Sequence, residues 1–314
     1  MKAIVVQKPG GPEVLKLAEV PMPEPKPGEV LIKVAAAGVN APDRFQRQGA
    51  YPPPPDASPL LGLEVAGTLT DGRAVVALSN GGGYAEYTAV PEGQILPLPE
   101  GFTMIEGAAL PETFFTVMQT LVMRSKLEAG MHVLVHGGAG GIGGAAILIA
   151  TALGAKAIAI VSSAGKADYA LGLGAVAAID RTSEDVVKRT LELTGGKGVE
   201  RIVDVAGASV MAQNLDAVAR YGHIVLIGSL GGSDASLPLN MVTGKQLTIS
   251  GSTLRPQPRE IKAAIADELR ARIWPKLPAM PKPAITTFLL DRAADAHRLL
   301  EDRSHIGKIV LSIS

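Results

Sequence analysis

Thirteen residues near the middle of the chain, His132-Val133-Leu134-Val135-His136-Gly137-Gly138-Ala139-Gly140-Gly141-Ile142-Gly143-Gly144, leave few folds open. The apolar run predicts a buried strand, the glycines a tight turn, and the apolar residues beyond them a helix packed back on that strand. Gly138, Gly140 and Gly143 have the spacing G-x-G-x-x-G. Without Cβ atoms, such a turn lets backbone N–H groups approach a pyrophosphate at a helix N-terminus and lets helix and strand pack closely. Gly138, Gly140, Gly141 and Ile142 are therefore the expected phosphate contacts.

The surrounding pattern supplies the context that this motif needs. Buried strands at 133–136, 157–161, 177–179, 201–205, 223–227 and 247–251 alternate with helical stretches, which predicts an α/β fold with a doubly wound, six-stranded parallel sheet. Two later strands run into Asp204-Val205-Ala206-Gly207 and Ile227-Gly228-Ser229, where the small residues Gly207, Gly228 and Ser229 leave room for a dinucleotide over the carboxyl edge. Residues 1–116 differ in texture: short β-like runs are punctuated by Pro and Gly, as in Pro21 to Gly28 and Pro52 to Pro55. The closing 255–314 segment is too short to fold alone. The expected organisation is 1–116 plus 255–314 as a β-rich domain and 117–254 as the dinucleotide-binding domain.

The end of the second strand decides which dinucleotide is expected. An NAD site places Asp or Glu there for the ribose hydroxyls, whereas this chain reads Ser162-Ser163-Ala164-Gly165-Lys166. Hydroxyl donors at Ser162 and Ser163, with Lys166 one turn on and Arg181 after the third strand, suit a 2′-phosphate. NADPH is the expected cofactor.

Bulk properties exclude other partners. Thirty Lys and Arg balance thirty Asp and Glu, so no positive field attracts nucleic acid or an anionic membrane. The chain has no cysteine, hence no disulfide, thiolate zinc site or catalytic thiol, and a reducing cytoplasm fits. Gly143 to Val161 is apolar apart from Lys156, but Gly154 and Lys156 divide it into a helix and a strand rather than one membrane span.

Several motifs carry a family resemblance over nearly the whole chain: Gln7-Lys8-Pro9-Gly10-Gly11-Pro12-Glu13, Gly38-Val39-Asn40-Ala41-Pro42-Asp43, Arg47-Gln48-Gly49-Ala50-Tyr51, Gly62-Leu63-Glu64-Val65-Ala66-Gly67, the glycine loop, and His305-Ile306-Gly307-Lys308-Ile309-Val310-Leu311. The chain resembles the zinc-free, zeta-crystallin-like quinone-oxidoreductase branch of the medium-chain dehydrogenase/reductase superfamily. That resemblance implies a GroES-like catalytic domain built from both chain ends, a Rossmann domain between them, and a homodimer. It also implies Asn40 and Thr116 near the nicotinamide and Tyr51 in the acceptor site. This chain departs from stress-inducible members at Gly140, where they carry Ser, and at Arg181, where Tyr is common. It also shortens the segment after Gly67, which predicts a tight turn near Asp71-Gly72.

Zinc alcohol dehydrogenases share the implied fold, but their metal needs a Cys where this chain has Asn40 and a His where it has Leu63. The five histidines offer no ligand spacing; none is expected to hold a metal. Without a metal to polarise a simple ketone, the expected acceptor is a quinone or enone, whose conjugation spreads the incoming charge. Tyr51, with an ordinary pKa of about 10, is the expected hydrogen-bond or proton donor to the developing oxyanion. Two functional classes remain: a reductase of quinones or enones, and an NADPH-binding sensor or structural protein with negligible turnover. NADPH oxidation across a panel of such acceptors separates them.

Overall fold

The computed structural model of the protein describes residues 1–55 and 57–313. In chain order the first elements are β1 (Lys2–Val6), β2 (Leu15–Glu19), β3 (Glu29–Val39), α1 (Ala41–Arg47), β4 (Glu64–Leu69), β5 (Ala74–Leu78), β6 (Tyr87–Pro91), β7 (Ile95–Pro97), α2 (Met104–Gly107) and α3 (Pro111–Val117). The alternating part follows: β8 (His132–His136), α4 (Gly141–Ala152), β9 (Lys156–Val161), α5 (Ala164–Gly172), β10 (Ala177–Asp180), α6 (Val186–Leu193), β11 (Val199–Asp204), α7 (Met211–Ala217), β12 (Val218–Leu226), α8 (Leu239–Lys245) and β13 (Thr248–Gly251). The chain closes with α9 (Arg259–Arg272), β14 (Ile285–Leu289), α10 (Ala293–Asp302) and β15 (Lys308–Ser312).

These elements form two compact units, Met1–Phe115 with Arg255–Ser314, and Thr116–Leu254. In the second unit the strand order is β10-β9-β8-β11-β12-β13, and every neighbouring pair is parallel. The order reverses at β8, whose carboxyl end leads into the glycine turn; doubly wound sheets bind ligands at such a switch point. Leu134, Ile158, Ile160, Ile179, Ile202, Leu215 and Ile224 form its core. The apolar stretch 143–161 is the rest of α4 and all of β9. Among the described residues no helix is long and apolar enough to cross a membrane.

Two of the parallel strands start two or more residues earlier than the apolar runs indicate. β11 begins at Val199 and β12 at Val218, before the runs that open at 201 and 223. Tyr221, at φ 64°, bends β12 in its polar first half, where the register against β11 also shifts. A local bend with polar side chains carries no strand periodicity, which is why the sequence hides it.

In the first unit a mixed sheet runs β14-β15-β3-β4-β5-β7, with β6 on the free part of β3. β15, from the end of the chain, lies between β14 and β3, so the C-terminal segment completes the sheet that the N-terminal residues begin. Its core includes Ile32, Val34, Val39, Val65, Val75, Ile309 and Leu311. β4 and β5 are joined by a tight turn: Gly72, at φ 87°, donates its N–H to the Leu69 carbonyl at 3.0 Å. This is the abbreviated segment that the sequence places at Asp71-Gly72.

Candidate active site

In the second unit the glycine loop divides into packing and open positions. Gly138 and Gly143 are buried. A Cβ on Gly138 would lie 2.6 Å from that of Ala159, and one on Gly143 only 2.1 Å from the Gly137 carbonyl oxygen. Both glycines are required by the protein itself. Gly140 is different, because a Cβ there would meet nothing nearer than 3.4 Å. Gly140, Gly141 and Ile142 are partly exposed at the start of the twelve-residue α4, whose first turn holds no carboxylate and whose N-cap has no side-chain hydrogen bond. The first N–H groups of a helix lack intrahelical acceptors, so this open edge suits an anion.

Sequence reasoning did not find what steadies this edge. Asp204, at the end of β11, accepts from the N–H groups of Ala206 and Gly207 at 2.7 and 2.9 Å and from Asn214 Nδ2 at 2.8 Å. With its amide nitrogen committed to Asp204, Asn214 presents Oδ1 to His136 Nε2 at 2.6 Å, so that nitrogen of His136 carries the proton. Burial lowers the His136 pKa, and the ring is neutral. The buried chain His136–Asn214–Asp204 ties the residue before the glycine turn to the turn that contains Gly207. Gly228 and Ser229 follow β12, and a Cβ on Gly207 would sit 2.9 Å from Ser229 Cα.

At the end of β9, Lys166 Nζ donates to Ser162 Oγ at 3.4 Å. Ser163 is the N-cap of α5. Arg181 N–H donates to the Val161 carbonyl at 3.1 Å, which sets the backbone of Arg181 beside the end of β9. Ser162, Ser163, Lys166 and Arg181 thus gather at one corner of the sheet. Thr116, where this unit begins, is buried, and its carbonyl accepts from Thr120 Oγ1 at 2.6 Å in the π-helical stretch Met118–Arg124.

In the first unit a cluster of buried charges surrounds Asn40. Asn40 is the N-cap of α1, and its own N–H donates to Asp43 Oδ2 at 2.9 Å. Its Nδ2 donates to Glu64 Oε1 at 2.7 Å, and its Oδ1 accepts from Lys308 Nζ at 2.6 Å. Lys308 also pairs with Glu64 directly; their side chains are 4% and 0% exposed. Gly38 makes room for this pair, since a Cβ on it would lie 2.0 Å from Glu64 Oε1. The second oxygen of Glu64 accepts from the Glu112 N–H at 2.8 Å, which docks the start of α3 on the same carboxylate.

Tyr51 is half-buried in the first unit, and the Arg255 guanidinium lies 5.7 Å from its ring centre. Arg255 is itself held by Gln46 Oε1 at 2.7 Å and the Asn80 carbonyl at 2.8 Å. Lys262 Nζ, almost fully buried, donates to Asn80 Oδ1 at 2.6 Å and the Arg255 carbonyl at 2.7 Å. Crowding and burial displace the titrations. Burial, reinforced by Glu64 and Asp43, pushes the Glu112 carboxyl up to about 8. Burial pulls the Lys262 ammonium down to about 8 and raises Asp43 to about 6 against its backbone hydrogen bonds from Gly62 and Asn40. Burial and the Glu112 charge raise the Tyr51 phenol above its ordinary value.

Behind Asp43 stands a second buried network. Arg47 donates to His297 Nδ1 at 3.1 Å, and His297 Nε2 faces the Tyr84 hydroxyl at 3.2 Å. Burial and Arg47 hold His297 down at about 3. Two more histidines have structural partners: His132 faces Glu200 at 3.8 Å and His223 bonds Ser250 Oγ at 2.7 Å. Among the described residues no group of three or more His, Cys, Asp and Glu has a metal-holding arrangement.

Of the cluster around Asn40 and Tyr51, sequence reasoning singled out those two alone. A signal for Glu112 does exist, because it is the only charged residue between Glu106 and Arg124 in an otherwise apolar run. Lone acids in such runs are buried with a purpose or a partner.

Comparison with known proteins agrees with this architecture. Residues 26–81 match the alcohol dehydrogenase GroES-like domain family and residues 141–269 the zinc-binding dehydrogenase family. The quinone oxidoreductase of Sus scrofa is 31% identical over 99% of this chain and 97% of its own. The crystal structure of the Thermus thermophilus quinone oxidoreductase, studied with its NADPH complex, superposes with a TM-score of 0.85 at 35% identity, covering 99% and 100% of the two chains. A crystal structure of an NAD-dependent alcohol dehydrogenase gives a TM-score of 0.88 at 33% identity over the full length of both.

Proposed function

This chain belongs to the quinone-oxidoreductase branch of the medium-chain dehydrogenase/reductase superfamily, and from that premise we propose that it reduces a quinone or other conjugated carbonyl with NADPH, without a metal. It is an oxidoreductase. The observation that carries the acceptor class is the state of Asn40. Its amide oxygen accepts from the Lys308 ammonium and its amide nitrogen donates to Glu64, so the candidate donors here already hold an internal cation. A site lacking Lewis-acid help favours acceptors that delocalise their own charge.

The second unit fits NADPH. Gly140, Gly141 and Ile142 offer the open helix edge to the pyrophosphate, with Gly138 behind them and Gly207, Gly228 and Ser229 along the strand ends. Ser162, Ser163, Lys166 and Arg181 take the 2′-phosphate, and no acid lies between Val161 and Lys166 to repel it. Thr116, where this unit begins, is the residue of this unit that orients the nicotinamide. When bound, NADPH supplies the hydride. The remaining work is positioning and proton supply, and Tyr51 donates from its hydroxyl to the oxygen on which charge develops.

NADPH oxidation over a panel of quinones, enones and enoyl thioesters tests the reading, with Tyr51→Phe alongside. Turnover on conjugated acceptors that Tyr51→Phe lowers is the expected result. Tight NADPH binding with no turnover on any acceptor would overturn it. We also propose a cytoplasmic homodimer joined through β13, which is partly exposed at the sheet edge and, among the described residues, pairs only with β12. A monomer by light scattering at micromolar concentration would refute the dimer.

A further inference from the structure

We propose that Arg255 is the positioning residue of Tyr51: its guanidinium holds the ring and favours the phenolate that is left when Tyr51 gives its hydroxyl proton to the reduced acceptor. This rests on the reading of Tyr51 given above and adds the residue that makes that hydroxyl a better donor.

Three observations carry it. First, the two side chains meet. The Arg255 guanidinium carbon lies 5.7 Å from the Tyr51 ring centre, within the range of a cation–π contact. Second, Arg255 is fixed in that place. It is 5% exposed, and it donates from Nη1 to Gln46 Oε1 at 2.7 Å and from Nη2 to the Asn80 carbonyl at 2.8 Å. Both acceptors are tied in turn. Gln46 Nε2 donates to the Pro59 carbonyl at 2.9 Å, in the loop that follows Tyr51. Asn80 Oδ1 accepts from Lys262 Nζ, which also holds the Arg255 carbonyl. Gly81, at φ 130°, lets the backbone pass between them, since a Cβ there would lie 2.6 Å from the Ser58 carbonyl oxygen and 3.3 Å from Arg255 Nη2. Third, the charge is not cancelled at contact distance. Among the described residues, every hydrogen bond that the Arg255 and Lys262 side chains donate ends on a neutral oxygen.

A simpler role for Arg255 is a clip that joins α1 to the loops at Asn80 and Pro59. That role needs hydrogen bonds and no charge. A neutral amide would serve it without the cost of taking a cation out of water. A buried guanidinium against a half-buried phenol has a consequence that an amide lacks, because it attracts the ionised ring more than the neutral one. The charged groups that Tyr51 faces are Glu112 and Arg255; burial and Glu112 oppose its ionisation, and Arg255 acts against them.

The step balances. Hydride adds to the conjugated acceptor, and a carbonyl π bond breaks toward oxygen. That oxygen takes the proton of the Tyr51 hydroxyl, and the phenolate beside Arg255 recovers a proton from solvent. The acceptor gains one hydride and one proton.

NMR provides a test that needs no turnover. In protein carrying isotope-labelled arginine, the Arg255 side-chain N–H signal is expected upfield of its ordinary position, because it lies over a ring, and should move downfield in Tyr51→Leu. A signal that stays in place in Tyr51→Leu overturns the proposal, whether or not any Arg255 variant folds. In protein carrying labelled tyrosine, the Tyr51 signal is identified by its loss in Tyr51→Phe. Arg255→Gln is expected to raise the pH at which that phenol ionises by about one unit, and Arg255→Lys by less. An unchanged titration in folded Arg255→Gln overturns the proposal. With 1,4-benzoquinone as acceptor, Arg255→Gln is expected to lower kcat about three- to tenfold and to leave the KM for NADPH unchanged. In the Tyr51→Phe background the same substitution should lower kcat by less than about twofold. Equal losses in both backgrounds show a clip and overturn the proposal. If Tyr51→Phe loses turnover while the Tyr51 titration ignores Arg255, the role of Arg255 alone fails. If Tyr51→Phe keeps full turnover, the reading of Tyr51 fails and the role of Arg255 with it.

Discussion

Replacing Lys308 with Met tests the internal cation at the centre of the first unit. The Lys308–Glu64 pair is 4% and 0% exposed, so neither charge is solvated by water and each depends on the other. Met keeps the length and apolar stem of lysine while deleting the ammonium. The Glu64 carboxylate then stays buried with two donors, Asn40 Nδ2 and the Glu112 N–H, and Asn40 Oδ1 loses the partner that fixes its amide. Breaking a buried ion pair from one side costs about 3–5 kcal/mol; the two remaining hydrogen bonds hold the loss near the lower figure. For a unit of this size each kcal/mol lowers the melting midpoint by about 2–4 °C, so a drop of roughly 6–12 °C is expected by circular dichroism at pH 7. The double variant Lys308→Met with Glu64→Gln removes both charges; the new amide can accept from the Glu112 N–H through its oxygen and donate to the Asn40 Oδ1 that has lost Lys308, and the variant should recover about half of the loss. A single variant that melts within about 2 °C of the wild type, or a double variant no more stable than the single, would refute the reasoning.

Three further expectations concern other parts of the protein. Lys166→Ala should raise the KM for NADPH roughly tenfold, the low end for a charge-assisted contact of about 1.5–3 kcal/mol on a partly exposed side chain, and leave NADH kinetics and kcat nearly unchanged. Equal losses with both cofactors would show that Lys166 supports the fold instead. Glu112 also predicts a pH dependence of stability. Its carboxyl titrates near 4.5 when unfolded and about 8 when folded, so the native state binds the extra proton and stability falls as pH rises from 4.5 to 8, by several kcal/mol in all. Glu112→Gln should flatten that slope in urea titrations; an unchanged slope would place the group's folded titration near its ordinary value. Finally, prolonged chelation should leave activity and melting temperature unchanged, whereas stoichiometric zinc in the purified protein would contradict the proposed metal-free chemistry.

The parts of this fold that are legible in the sequence are those whose causes are local. Buried parallel strands must be apolar along their whole length, so β8, β9 and β10 read directly from runs such as Val133-Leu134-Val135. Gly138 and Gly143 read directly too, because a side chain at either would strike backbone or strand within 3 Å. The charge cluster of the first unit has no such local cause. Asn40 meets Glu64 across 24 residues and Lys308 across 268, and Lys262 meets Asn80 across 182. A lysine in a sequence carries no mark of whether it will be solvated or buried against a carboxylate, because only the assembled sheet, with β15 inserted beside β3, decides it. Gly38 comes nearest to such a mark, and its reason is visible only once the Glu64 carboxylate is seen in the space that a Cβ would take. Thus Asn40 and Leu63 are legible in the sequence as departures from a zinc-ligand pattern, while the Lys308 ammonium on Asn40 and Glu64 is visible only in the assembled sheet. A charge that is built in cannot be exchanged or chelated, and under the proposed metal-free reading proton supply is the chemistry left for the first unit to provide.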